Sequence, residues 1–508
     1  MFNLHFIDSS VCVIYLLVVI GLAVISARRQ KDNEDFFLGG RNMNWVAVAI
    51  SLFATSFSSI SFLGLPQRGA YQDFSFFLTI LIIPLVITPI LWWVFVPVYV
   101  RLKVSSGYEY LGQRFGTPAQ RIGSLLYCVY ALGWMGAMLY AVALTLQIVL
   151  GLSTTQYYWA LIGVGVFATF YTALGGLRAV IWTDVLQAIV LGGVILLVLF
   201  IAVGRIEGGW SEFFNIASAN HKFQMFHLKA NLLARENFTD RHSVFTAIAF
   251  GVFMYLPGYA VSQNMIQRYV CSGSLAAGRG IVLLSAIIST ILGFFFLLVG
   301  TALFAFYSQP GGAGLPMAGA EIVSEDQIMP YFVSNELPGI GLIGLIMAGL
   351  FAAAMSTIDS GINAVTSVII YDWCAGKELS LKISRTLTAG LGLLVIGAAM
   401  LAPVLGETVI GIINTIAGTS LGMLMAIYLL GLLIPRANLP GVLAGFAVGL
   451  ASLAFVWIFT DIPSWWFGAF TMFPTFLVGL LASRFFPAPT EAVLSTTLLR
   501  SVLKRKAR

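Results

Sequence analysis

The sequence predicts an all-α polytopic membrane protein of about thirteen transmembrane helices. Composition, the lengths of the apolar runs and the placement of charge all lead there. Of 508 residues, 59% are hydrophobic and 9% charged, whereas soluble domains carry about 25% charged residues. The bundle is therefore its own core, with no room for a separate soluble domain. The net charge of +6 is scattered between spans and gives no nucleic-acid footprint. Cys12, Cys128, Cys271 and Cys374 fall in spans or at their ends, with neither a disulfide framework nor metal-ligand spacing. The N-terminus lacks a basic n-region, and its apolar stretch runs into Arg28 and Arg29. That pattern predicts an uncleaved span.

Apolar runs long enough to cross about 30 Å of hydrocarbon lie near 8–27, 43–65, 74–100, 119–150, 156–174, 181–203, 243–270, 278–307, 339–370, 384–404, 408–434, 439–460 and 464–485. The first is a lead-in span, the next ten are core spans 1 to 10, and two more follow. With the N-terminus outside, inner loops and tail hold 21 Lys and Arg and outer loops hold six, the whole inventory of 27. Cytoplasmic loops carry this excess. The expected localisation is a cell membrane, multi-pass, with a cytoplasmic C-terminus. Arg268 is counted as an inner surface anchor.

Core spans 1–5 and 6–10 are equal in number, and five is odd, so the halves are inverted repeats. The divisions expected are 1–42 (lead-in helix and inner loop), 43–203 (first repeat), 204–242 (outer loop), 243–434 (second repeat, with an outer loop at 308–338) and 435–508 (two helices and a basic inner tail). The 308–338 loop is acidic, with Glu321, Glu325, Asp326 and Glu336. Each long loop reads equally as a lid or a passive connector. Asn237-Phe-Thr239 is a glycosylation sequon that matters only in a eukaryotic host. Each repeat should open with a broken helix. The expected breaks are Ala54–Ser61 with Pro66 in core span 1, and Tyr255-Leu-Pro257-Gly258 in core span 6.

Ala353, Ser356, Thr357 and Ser360 recur at i, i+3, i+4, i+7, so one helix face carries three hydroxyls in an apolar span. Asp359 borders that face. Helix packing explains an isolated Ser-Thr pair. Four residues in register beside a carboxylate point instead to a hard cation such as Na⁺. Ala54, Phe57, Ser58 and Ser61 repeat the spacing in core span 1. If that helix unwinds, the carbonyls of Ala54 and Phe57 become cation ligands while Ser56, Ser58 and Ser61 face a solute. Packing is the competing reading. Gly175-Gly176 permits a tight turn before Arg178, and Asp184 then lies within an apolar helix, either functional, or solvated near the inner helix end, or paired with Arg178. Gln263 and Asn264 line an inner gate or bond other helices.

Trp182-Thr-Asp184…Gln187, Gln263-Asn264…Gln267-Arg268, Ala352-Ala-Ala-Met-Ser356-Thr357, Tyr108-Glu-Tyr-Leu-Gly-Gln-Arg-Phe115 and Leu429-Leu-Gly-Leu-Leu-Ile-Pro435-Arg-Ala-Asn438 together resemble the solute:sodium symporter family, in order and over nearly the whole chain. The resemblance implies a LeuT-type 5+5 inverted repeat with a lead-in helix, secondary active transport and no enzymatic activity. It implies a main Na⁺ site from the carbonyls of Ala54, Phe57 and Ala353 and the hydroxyls of Ser356 and Thr357. A second Na⁺ site would use Asp184, Ser356, Asp359 and Ser360. Asp359 stands where the sialic-acid members place a serine, and it serves either a second cation or a proton.

Sugar-carrying relatives place Asn, Glu and Gln where this chain has Ser56, Ile60 and Ser61, which argues against glucose or galactose. Ser61-Phe-Leu-Gly-Leu-Pro66 and Gly208-Gly-Trp-Ser-Glu212 look like the branch carrying monocarboxylates, iodide, vitamins and sialic acids. The expected solute is a monocarboxylate or a sugar acid such as sialic acid; a neutral sugar or other neutral solute is the alternative. Candidate solute contacts are Thr55, Ser56, Ser58, Ser61, Phe76, Trp134 and Tyr255. The sialic-acid carriers' arginine in core span 3 falls near Gly133 here, so an anion would rest on hydroxyls, broken-helix N-termini or Arg68. The partners expected are the solute, one or two Na⁺ ions and the lipid bilayer, with the chain a monomer. A channel and an intramembrane aspartyl protease are remote alternatives; Asp184 and Asp359 lack the protease's companion motifs.

Overall fold

The computed structural model describes residues 6–504 except 29, 230, 233, 241–242, 310–313, 317–324, 337–340, 375–378, 402–408 and 461. Glu321, Arg29, Arg241, Lys377 and the tail beyond 504 lie outside the described residues. The spans, in chain order, are α1 (Phe6–Ala27), α2a (Trp45–Ser56) and α2b (Ser59–Tyr71), α3 (Ser75–Leu102), α4 (Thr117–Leu150) and then one helix over Thr154–Gly204. After it come α7a (Val244–Val261) and α7b (Gln263–Val270), α8 (Leu275–Ser308), α9 (Leu342–Trp373), α10 (Leu381–Leu401), α11 (Val409–Leu433), α12 (Leu439–Phe459) and α13 (Ser464–Phe485). At 1.5 Å per residue, the 51-residue helix Thr154–Gly204 would be about 76 Å long, far more than one bilayer crossing. It turns at Gly176 (φ 52, ψ −161) into two spans, α5 and α6. A Cβ there would meet the Phe36 carbonyl oxygen at 2.5 Å, so the expected Gly175-Gly176 turn is also a close approach. Thirteen spans result among the described residues, and core span n is helix αn+1.

Helix Gly209–Ala219 marks the upper end of the bundle and helix Glu109–Phe115 the lower. The apolar windows of α1 and α12 are only 22% buried, which puts both at the periphery. That of α9 is 78% buried, and α9 packs against α1, α2a, α4 and α6. The hydroxyl-bearing helix is thus the central one.

Both broken helices exist: the α2 break falls inside the expected Ala54–Ser61 run, and the α7 break lies beyond the expected Tyr255–Gly258. The two halves of α2 meet at 63°. Phe57 (φ −100, ψ 100) and Ser58 (φ −99, ψ 175) are extended. Pro66 is not the breaker: it lies inside α2b, and its carbonyl sits where a Cβ on Gly300 of α8 would approach to 2.0 Å. In α7 the break falls at Ser262 (φ −84, ψ 137), five residues beyond Pro257. A π-helical turn over Gly251–Tyr255 precedes Pro257 and widens the helix there. The carbonyls stranded at the end of α7a are met by side-chain hydroxyls. Ala260 accepts from Tyr99 (2.7 Å), Val261 from Tyr108 (3.0 Å), Tyr259 from Tyr269 (2.8 Å) and Gly258 from Ser262. These bonds replace the intrahelical ones a helix end lacks.

Candidate ion and solute sites

The break in α2 delivers the Ala54 carbonyl to the hydroxyl face of α9. Ser356 Oγ lies 3.0 Å from the Ala54 oxygen and 3.2 Å from the Ala353 oxygen, so three of the expected ligands converge on one point. Thr357 Oγ1, one residue on, is buried with no hydrogen-bond partner. Phe57 supplies the extended backbone beside them, its ring 5.0 Å from those of Phe53 and Phe296. Carbonyl and hydroxyl oxygens without a fixed negative charge suit a monovalent hard cation. An orphaned buried hydroxyl is costly unless a ligand meets it.

Below this point lies a polar cluster that is fully buried. Asp184 Oδ2 accepts from Ser51 (2.5 Å), from Thr55 (3.4 Å) and from Nη2 of Arg268 (2.9 Å). Arg268 is a correction: it is no surface anchor but 0% exposed, and it leaves the inner-loop inventory. Its Nη2 also donates to Ser360 (2.7 Å), its Nε to Ser51 (2.9 Å) and its Nη1 to the Asn264 carbonyl (2.8 Å). Asp184 therefore pairs with Arg268, while Arg178 reaches Gly39 and Asn42. Asp359 accepts from Tyr171 (2.5 Å) and Ser360 (3.2 Å). A signal for Arg268 was present in the sequence. Two intramembrane carboxylates require a compensating cation, and Arg268 is a basic residue inside the apolar run 243–270.

The seven candidate solute residues, Thr55, Ser56, Ser58, Ser61, Phe76, Trp134 and Tyr255, all line one cavity of ≈ 230 Å³. Thr55 faces two ways, since its hydroxyl also lies 3.0 Å from that of Ser360. Missed by the sequence reading were Tyr130, Tyr259, Ser289 and Ala417 of the same lining, which stand on four different helices and outside the recognised motifs. The cavity runs from Asn264 and the α2 break up to Arg68 and Trp465. Among the described lining residues Arg68 is the one Lys or Arg, and its guanidinium lies 4.2 Å from the centre of the Phe76 ring. Gln263 instead bonds the Gly107 amide (2.8 Å) and the Ser105 carbonyl (2.9 Å), stitching α7b to the lower loop.

The family model described as the sodium:solute symporter family matches residues 36–449. The chain belongs to this family. The sodium/sialic acid symporter NanT of Aliivibrio fischeri is 30% identical over 93% of this chain and 92% of its own. Human sodium-coupled monocarboxylate transporter 1 is 32% identical over 85% of this chain and 72% of its own, and the human sodium/iodide cotransporter is 31% identical over 87% and 68%. A solved Na⁺-coupled sialic acid symporter, substrate-bound and outward-open, superposes with a TM-score of 0.86 at 26% identity, covering 96% of this chain and all of that one. Mhp1, a nucleobase-cation-symport-1 transporter, shares the fold alone, with a TM-score of 0.56 at 14% identity. This sodium:solute symporter has the LeuT-type fold, and its activity is secondary active transport coupled to Na⁺.

Proposed function

We propose that the chain carries a small organic carboxylate, a monocarboxylate or a sugar acid such as sialic acid, inward across a cell membrane. The observation that carries this reading is the lining of the cavity. Hydroxyls of Ser56, Ser58 and Ser61 surround the N-terminal end of α2b, where backbone N–H groups favour an anion, and Arg68 stands at the upper mouth. Its relatives named for sialic acid and for monocarboxylates support this reading. The upper end is taken as outside, and the chain works as a monomer.

Na⁺ at Ala54, Phe57, Ala353, Ser356 and Thr357 ties the α2 break to α9 and fixes Ser56, Ser58 and Ser61 for the solute. The repeats 43–203 and 243–434 then rock about this point, so that cavity and ion face the cytoplasm. One charge crossing 100 mV contributes about 2.3 kcal/mol. A second Na⁺ is read at Asp184, Ser356, Asp359 and Ser360. In its support, Asp184 Oδ1 is buried without a partner, and the Ser360 hydroxyl, bonded by Arg268, also lies 3.2 Å from Asp359 Oδ1.

Radiolabelled uptake into proteoliposomes tests this. Sialic acid and C2–C6 monocarboxylates are offered under an inward Na⁺ gradient, with and without Arg68→Gln. Saturable, Na⁺-dependent uptake that Arg68→Gln weakens about tenfold is the expected result. Uptake unchanged when K⁺ replaces Na⁺, or uptake of neutral sugars alone, overturns the assignment.

A further inference from the structure

Arg268 hangs on α7b, the short half-helix beyond the Ser262 break. Its guanidinium reaches α2a through Ser51, α6 through Asp184 and α9 through Ser360, all with buried partners. While these bonds stand, α7b is tied at the lower end to three helices. Two of the side chains it holds, Asp184 and Ser360, are also two of the four read above as the second ion's ligands, and a single nitrogen, Nη2, occupies both.

We propose that Arg268 is a tethered cation that competes with Na⁺ for Asp184 and Ser360, so that the second ion and the α7b latch exclude each other. This rests on the second-ion reading. Thr55 gives the ion its approach. It lines the solute cavity, and its hydroxyl lies 3.4 Å from Asp184 Oδ2 and 3.0 Å from Ser360 Oγ. Asp184 Oδ1 and Thr357 Oγ1, both buried and without partners, are oxygens the incoming ion meets before the guanidinium leaves. The net buried charge returns to its starting value only when the guanidinium moves out of the cluster, which couples ion entry to movement of α7b. Once Nη2 is displaced, α7b loses its one charged tie, to α6, and is held by neutral bonds, among them Gln263 to Ser367 (3.4 Å) and Gln267 to Asn363 (3.3 Å) on α9, so the latch is loosened. When the guanidinium returns, it expels the ion. The order of events at the lower gate is therefore set by Arg268. Arginine suits this role better than lysine, because its planar fork bonds Ser51, Asp184 and Ser360 together while remaining charged.

The test uses the purified full-length protein in liposomes. Equilibrium binding of ²²Na⁺ counts the ions and gives the half-saturating concentration of each. Peptide-resolved maleimide labelling of Cys271, which is 0% exposed and three residues past Arg268, reports opening of the lower end. In Arg268→Gln the second ion is expected to bind at least tenfold more tightly, and Cys271 to label without Na⁺. In Arg268→Lys, which keeps the charge and loses the fork, the second ion is expected to bind three- to tenfold more tightly; this variant decides the matter if Arg268→Gln does not fold. A second ion bound no more tightly in these variants, while Asp184→Asn removes it, makes Arg268 a strut and overturns the competition while the second-ion reading stands. An ion count unchanged by Asp184→Asn overturns both.

Discussion

The Ser356 hydroxyl donates to the Ala54 carbonyl at 3.0 Å, across 302 residues of sequence. The donor belongs to the central helix of the second half and the acceptor to the broken helix that opens the first. The bond joins the two repeats at the point where backbone bonding in α2 has been given up. A cation there would take over the acceptors that Ser356 now bridges.

Replacing both Ser356 and Thr357 by alanine is expected to abolish concentrative uptake. Thr357→Ala alone should raise the half-saturating Na⁺ concentration about tenfold, equivalent to about 1.4 kcal/mol. Uptake measured against Na⁺ concentration checks this. Full Na⁺ dependence in the double variant would remove these residues from the ion site.

Tyr171→Phe leaves one oxygen of the buried Asp359 carboxylate without its 2.5 Å hydrogen bond. An unmet buried acceptor costs about 1–3 kcal/mol. The thermal midpoint of the purified protein should fall, and more so than for Tyr140→Phe, which leaves the carboxylate untouched.

Lys222 gives a pH dependence. Its ammonium donates to the carbonyls of Ala70 (2.7 Å) and Gln72 (2.8 Å) and lies over the Phe304 ring, fastening the 204–242 loop to the upper end of α2b. Burial lowers its pKa from 10.5 to about 8. Between those values the unfolded chain holds the extra proton, so Lys222 adds stability as pH rises through that window and imposes its full penalty below it. Thermal midpoints from pH 7 to 10 should show this rise in the wild type. The rise should be smaller in Lys222→Met.

Gly300→Ala puts a methyl 2.0 Å from the Pro66 carbonyl oxygen, a backbone atom that cannot rotate away. Forced separation of α8 from α2b is expected to cost about 1–3 kcal/mol and to lower uptake together with the thermal midpoint. Gly390→Ala, with open space around its Cβ position, is the matched control.

The thirteen spans were legible because hydrophobic run length and loop charge are one-dimensional signals. The 51-residue helix shows why even there the sequence was the better guide: Gly176 makes two spans of what hydrogen bonding joins into one. The α2 break was legible as the hydroxyl run Ala54–Ser61, the α7 break less so. Proline marks a missing donor, yet Pro66 and Pro257 are absorbed by a close-packed glycine and a widened turn. The breaks at Phe57 and Ser262 occur instead where side-chain groups elsewhere can meet the stranded carbonyls, and those partners are far apart in sequence. Arg268 was misplaced for the same reason: its partners Ser51, Asp184 and Ser360 come from three other helices, and position near a span end is no guide to them.

The pairing of Asp184 with Arg268 also bears on how the chain is made. The carboxylate is synthesised 84 residues before its guanidinium. Each charge at the centre of a lone inserting helix costs about 2.5–3.5 kcal/mol. The α6 segment is made carrying an acid, eight residues past the Gly176 turn, whose counter-charge does not yet exist. Ser51 and Thr55, made before it, are the donors that can meet the acid first, and the ion pair completes the cluster only as α7b emerges.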